Sequence, residues 1–218
     1  MSNDQIDEYE QGERVRKWLR ENGASVFGGI ALGLAAILGF QAFQARGDAH
    51  RAEASMQFER FVEAEDAGNL ESATAIAGSL GSEYADTPYP ALAALRLAAS
   101  QLRAGKPEET LAAIEAGLPT ARDPALRQML LLRAARAELV LGRHDAALAR
   151  LAGIDLPAYA ALRHEIEGDA LAAQGRRDEA RAAYERALTA LDVASPLRGL
   201  LELKLADVGG TAQRSTEA

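Results

Sequence analysis

From Ala24 to Phe43 the chain runs for twenty residues without a charged side chain, and Ser25 and Gln41 near the ends are the most polar members. At about 1.5 Å per residue, a helix of this length reaches roughly 30 Å, the thickness of a bilayer's hydrocarbon layer. A buried helix of a soluble domain would keep a polar stripe, and this segment has none on any face. A cleavable leader would place a short basic stretch ahead of its apolar run. Here 23 residues with six acidic side chains precede it, and the one small-x-small site, Ala45-Arg46-Gly47, contains a charge. The segment reads as a retained transmembrane helix, residues 24–43.

Basic residues close to a span set its orientation. Arg14, Arg16, Lys17 and Arg20 lie just before it, against Arg46 and Arg51 over a similar distance beyond. Residues 1–23 are therefore expected in the cytoplasm and the C-terminal part on the far side, which in a Gram-negative-like cell is the periplasm. Gly29 and Gly33 form a G-x-x-x-G pair that would let another membrane helix approach closely. Glycine is common in membrane helices, so composition alone could also produce the pair.

Beyond the span the residues that dominate, alanine, leucine, arginine and glutamate, are those that lose least freedom in a helix, so the fold is expected to be all-α. Four helix-turn-helix units align on Gly68, Gly105, Gly142 and Gly175, spaced by 37, 37 and 33 residues, close to the period of about 34 of a tetratricopeptide repeat. The fourth unit carries the small and large pattern most fully, with Gly168, Leu171, Gly175, Ala180, Tyr184 and Ala187 in register. Glycine would adopt the left-handed turn between helices, and Ala180 would sit where they come closest. Ala147 and Thr110 hold that position in the third and second units. Ser195 and Pro196 predict a helix N-cap and first turn for a last helix, whose leucines 197, 200, 201, 203 and 205 would cover the end of the stack. The expected organisation is a helical-repeat solenoid over 46–208 with this capping helix, then a disordered tail over 209–218.

Chemistry is hard to find. With no cysteine there is no disulfide, zinc-thiolate site or thiol nucleophile. A net charge of -8 disfavours nucleic acid. His50, His144 and His164 lack metal-ligand spacing, and no nucleophile elbow, phosphate loop or dinucleotide fingerprint occurs. Neither a catalytic residue nor a cofactor or metal site is assigned. Function then falls to binding, because stacked helix pairs form a groove lined by the first helix of each unit. The repeat frame directs Leu95, Leu102 and Arg103, then Leu132, Arg136 and Leu139, then Glu165 and Asp169 toward that groove. Apolar sides with fixed charges suit a peptide or another protein's helix. The same leucines are also what a neighbouring repeat would bury.

Several stretches carry a family resemblance: the acidic leader followed by Arg-x-Arg-Lys-Trp-Leu-Arg-Glu-Asn-Gly (Arg14 to Gly23) against a glycine-rich span, Tyr89-Pro-Ala-Leu-Ala-Ala-Leu-Arg-Leu-Ala, and Leu162-Arg-x-x-x-x-Gly-Asp-Ala-Leu with the Gly-Arg-Arg-Asp-Glu-Ala-Arg after it. The sequence resembles the YfgM family of Gram-negative bacteria, the ancillary subunit of the SecYEG translocon. The resemblance implies a non-enzymatic inner-membrane protein that works at the exit of the Sec channel. It also implies a PpiD-like periplasmic chaperone as partner and a part in handing secreted client proteins onward. A membrane-tethered scaffold of another envelope complex, such as cytochrome c maturation or cell-wall assembly, is the alternative.

Overall fold

The computed structural model describes residues 4–211. Among them nine α-helices follow one another without a strand: α1 (Asp4–Asp66), α2 (Leu70–Glu83), α3 (Tyr89–Arg103), α4 (Pro107–Gly117), α5 (Pro124–Val140), α6 (His144–Leu151), α7 (Ala160–Ala173), α8 (Arg177–Ala190) and α9 (Arg198–Asp207). The all-α expectation holds. Two compact units divide the chain, Met1–Ala52 and Glu53–Ala218. Of the tail expected to be disordered, only residues 209–211 are described; the rest lies outside the described residues.

In the first unit the apolar residues of α1 face outward, with Phe27, Leu32, Leu38, Phe40 and Phe43 all more than half exposed. Among the described residues this is the one helix long and apolar enough to cross a membrane, with a mean hydropathy of 1.5 over an 18-residue stretch. No atom lies within 4 Å of where a Cβ on Gly29 or Gly33 would stand.

The second unit is built from helix pairs. The part of α1 from Glu53 onward pairs with α2, α3 with α4, α5 with α6 and α7 with α8. The aligned glycines supply the turns, with φ of 73° at Gly68, 74° at Gly105, 71° at Gly142 and 75° at Gly175. A side chain at this left-handed φ would clash with its own backbone, which is why the turn selects glycine. The geometry also satisfies the last carbonyls of each first helix. At the α3 end Gly105 N donates to Leu102 O at 3.0 Å and Lys106 N to Gln101 O at 2.9 Å, and Gly142 and Arg143 repeat the pattern on α5.

Within and between pairs, small residues allow close approach. Thr110 is wholly buried and donates its hydroxyl to Lys106 O at 2.9 Å, so a polar side chain takes the close-packing place by bonding its own helix. Ala147 and Ala180 are equally buried at the corresponding positions. The core runs through the stack as four linked clusters, beginning with Ala54, Phe61, Leu80 and Leu97 and ending with Tyr184, Ala187, Leu201 and Leu205. First helices pack closely on one another, α3 on α5 and α5 on α7, while the second helices α4, α6 and α8 stand further apart. The stack therefore closes on the side of the first helices.

The last helix differs from the sequence expectation. It begins at Arg198 with Leu197 as its cap, three residues beyond Ser195, and Pro196 lies in the preceding turn. Ser195 Oγ accepts from Leu197 N at 3.3 Å and Asp192 Oδ1 from Ala194 N at 2.7 Å. These two side chains stabilise successive turns, and the helix starts only after both. Only Leu201 and Leu205 of its leucines are buried, whereas Leu197, Leu200 and Leu203 stay 40%, 47% and 68% exposed.

Candidate protein-binding groove

The first helices carry the residues predicted to line the groove, and the structure separates them by chemistry. The leucines belong to the stack. Leu132 is only 4% exposed and packs with Ala135, Ala147, Leu151 and Ile166, and Leu139 is partly buried against the same cluster. Leu95 and Leu102 are partly buried against the cluster that holds Ala98, Leu130 and Ala134. Their own second helices and the neighbouring repeat together take much of their apolar surface, so they flank the groove more than they fill it.

The charged residues form two sets of contacts between helices, one joining α1 to α3 and one joining α5, α7 and α9. On α1 Glu65 accepts from Arg96 Nε at 2.6 Å and from the Ser100 hydroxyl, with Arg103 Nη2 at 4.0 Å; Asp66 also pairs with Arg96. Burial would raise the Glu65 carboxyl, but hydrogen bonds from Ser100 and Arg96 and the charges of Arg96 and Arg103 outweigh it and hold the group below the usual carboxylate range. Arg103 is exposed and donates from Nη2 to Ser100 Oγ at 2.9 Å. On α5 Arg136 Nη2 donates to Glu165 Oε2 on α7 at 3.0 Å. Lys204 on α9 closes the series, donating to Glu165 Oε1 and to Asp169 Oδ2, both at 2.8 Å. Desolvation of Lys204 is outweighed by these two carboxylates, which raise its ammonium above the ordinary value. Asp169 also accepts from the Tyr184 hydroxyl at 2.8 Å.

The predicted residues Arg136, Glu165 and Asp169 are thus brought into one network, and Arg103 into a second, on Glu65. Sequence reasoning missed Glu65 and Lys204, on α1 and α9, from which no groove residue was drawn, and Arg96 and Ser100, which stand at helical spacing from Arg103 on α3. It also missed Arg133, one turn before Arg136, for which helical spacing from Arg136 was the available signal.

A cavity of about 980 Å³ opens on another side, between α2, α3 and α4. Small residues line it, among them Gly78, Gly81, Ala94, Ala112 and Ala116, and Gln101 Oε1 is buried there without a hydrogen-bond partner. Its chemistry is that of a space for apolar groups. His164 bonds Glu167 at 2.9 Å and lies beside Arg186, in an ion-pair cluster on α7 and α8. Among the described residues no group of three or more histidine, aspartate or glutamate side chains could hold a metal.

Comparison with known proteins gives two matches. A family described as "Tetratricopeptide repeat-like domain" matches residues 16–210. The "Ancillary SecYEG translocon subunit" of Escherichia coli (strain K12) is 30% identical over 199 residues, which cover 91% of this chain and 95% of that protein. No solved structure matches the chain significantly.

Proposed function

The chain belongs to the YfgM family of tetratricopeptide repeat-like proteins, and from that premise we propose that it is a non-enzymatic, single-pass inner-membrane subunit associated with the SecYEG translocon. The observation that carries the reading is the end-to-end match to a protein named as such a subunit, which includes the apolar helix as well as the repeats. Residues 1–23 lie in the cytoplasm, 24–43 cross the membrane and the repeat domain, 46–208, works in the periplasm; the basic residues before the span support this orientation. There the domain binds a PpiD-like chaperone and helps pass secreted proteins onward. The groove of the first helices is the binding surface, with Arg103 and Arg136 as its accessible charges and Leu95, Leu102 and Leu139 at its flanks. Gly29 and Gly33 are the surface for a second membrane helix.

Photocrosslinking in intact membranes tests this reading. A photoreactive residue at Arg103, which is exposed, is expected to trap Sec channel subunits, a membrane-anchored chaperone or newly exported chains. Trapping only the subunits of another envelope complex would assign the scaffold to that complex and remove the translocon reading.

A further inference from the structure

Among the described residues, six arginines and lysines are half-buried: Arg133, Arg150, Arg163, Arg181, Arg198 and Lys204. Five of them donate to a carboxylate or a backbone carbonyl. Arg133 makes no hydrogen bond or ion pair, and its Nε is buried without a partner. A guanidinium taken partly out of water with nothing to replace its hydration is unfavourable, and folded chains seldom leave one so. The charges that act on Arg133 make this worse. Burial first, then the like charges of Arg136 and Arg103, push its guanidinium below the ordinary value, and no carboxylate offsets them.

Arg133 and Arg136 stand one turn apart on α5, and Arg103 on α3 lies near enough for its charge to act on Arg133. Arg103 and Arg136 are each held by an acid on the far side, Glu65 and Glu165, and each keeps donors to spare, since a guanidinium carries five N–H groups. Carboxylates thus stand beside two of the three guanidinium groups and leave Arg133 without one. The same face of α5 presents Met129 one turn before Arg133 and Val140 one turn after Arg136; Met129 is partly buried and Val140 is 65% exposed.

We propose that Arg103, Arg133 and Arg136 form a carboxylate-binding subsite in the groove, and that its occupant is a protein segment carrying acidic side chains next to apolar ones. It rests on the reading of this chain as a protein-binding scaffold and names the chemistry of what it binds. The carboxylate pairs with the charge of Arg133 through its terminal N–H groups, which are not buried as Nε is, in the bidentate geometry that guanidinium and carboxylate share. Met129 and Val140 receive the neighbouring apolar side chains, which distinguishes a peptide from a lipid headgroup. The chain's net charge of -8 repels acidic peptides in general, so affinity for one requires a local site.

The test is calorimetric titration of the full-length protein in detergent with a peptide of alternating leucine and glutamate, and with its glutamine counterpart. The glutamate peptide is expected to bind at least about tenfold more tightly, with the difference shrinking as salt is raised. Arg133→Gln is expected to weaken the glutamate peptide by about tenfold and leave the glutamine peptide unchanged, while Arg133→Lys retains part of the difference. Equal affinity for the two peptides, which needs no variant, would overturn the subsite, as would unchanged binding by Arg133→Gln. Displacement of the peptide by phosphatidylglycerol vesicles would assign the cluster to lipid headgroups and overturn it as well. Co-purification of the wild-type protein with the Sec channel is read separately. Its failure removes the translocon reading and leaves the peptide result standing.

Discussion

The ring of Tyr184 on α8 fills the space that a side chain at Gly168 on α7 would need: a Cβ there would fall 2.6 Å from Tyr184 Cδ1 and 2.9 Å from Cζ. Tyr184 is held in place, because its hydroxyl donates to Asp169 at 2.8 Å and the ring is 3% exposed. Gly168→Ala is therefore expected to destabilise the repeat domain by about 2 kcal/mol through overpacking. Pairing it with Tyr184→Ala should recover part of that loss, since the smaller residue vacates the space. Denaturant titration of the four proteins checks this, and an additive double variant would show that the ring does not set the clash.

The glycine of this contact was legible in the sequence because the repeat demands it, and so were Gly68, Gly105, Gly142 and Gly175, whose positive φ few other residues adopt. An uninterrupted apolar run made the span equally plain. Long-range matters were harder. The repeat frame directs Leu132 and Leu139 toward the groove, but it does not show that Leu132 packs instead with Ala147 and Leu151 of its own second helix and Ile166 of the next unit. The pairing of Lys204 with Glu165 spans 39 residues and depends on how α9 docks. Ser195-Pro196 has the composition of a helix start, yet two turns stabilised by Asp192 and Ser195 come first. Arg133 looked like any solvated arginine, because lacking a partner is a property of its surroundings and not of its neighbours in the chain.

Glu65 ties α1 to α3, and its lowered carboxyl gives that tie a pH dependence. Its ordinary value is 4.5 and its folded value is lower, so the folded state binds this proton less readily than the unfolded one. The contribution is then present in full above about pH 4.5 and is lost as the pH falls through the folded value. Melting curves of wild type and Glu65→Gln are expected to differ at pH 7 and to converge as the pH falls below about 4.5. A gap that persisted at the acid end would mean that the carboxylate charge is not what joins the helices.

Arg150 on α6 joins three helices, donating from Nε to Glu138 of α5 at 2.6 Å and from Nη2 to Glu115 of α4. Glu138 is 4% exposed, so removing its partner strands a charge inside the stack. Arg150→Met is expected to cost about 3 kcal/mol. Neutralising both groups, with Glu138→Gln beside Arg150→Met, should cost markedly less, because no unpaired carboxylate then stays buried. A double-mutant cycle by urea unfolding measures the difference, and equal losses for the single and double variants would contradict the role given to desolvation.

The proposed orientation rests on the basic residues flanking the apolar segment, and the absence of cysteine makes it simple to check. Glu13 lies before the apolar segment and Thr189 far beyond it, and both side chains are exposed. Glu13→Cys and Thr189→Cys each introduce the chain's single thiol at a site with little structural consequence. In cells whose outer membrane alone has been permeabilised, a membrane-impermeant maleimide is expected to label the cysteine at 189 at once. The one at 13 should react only after the inner membrane is opened. The reverse pattern would place the repeat domain in the cytoplasm and rule out work at the periplasmic exit of a channel. Rapid labelling at both positions would show that 24–43 does not cross the membrane, and the four basic residues before it would then need another explanation, such as attraction to an anionic surface.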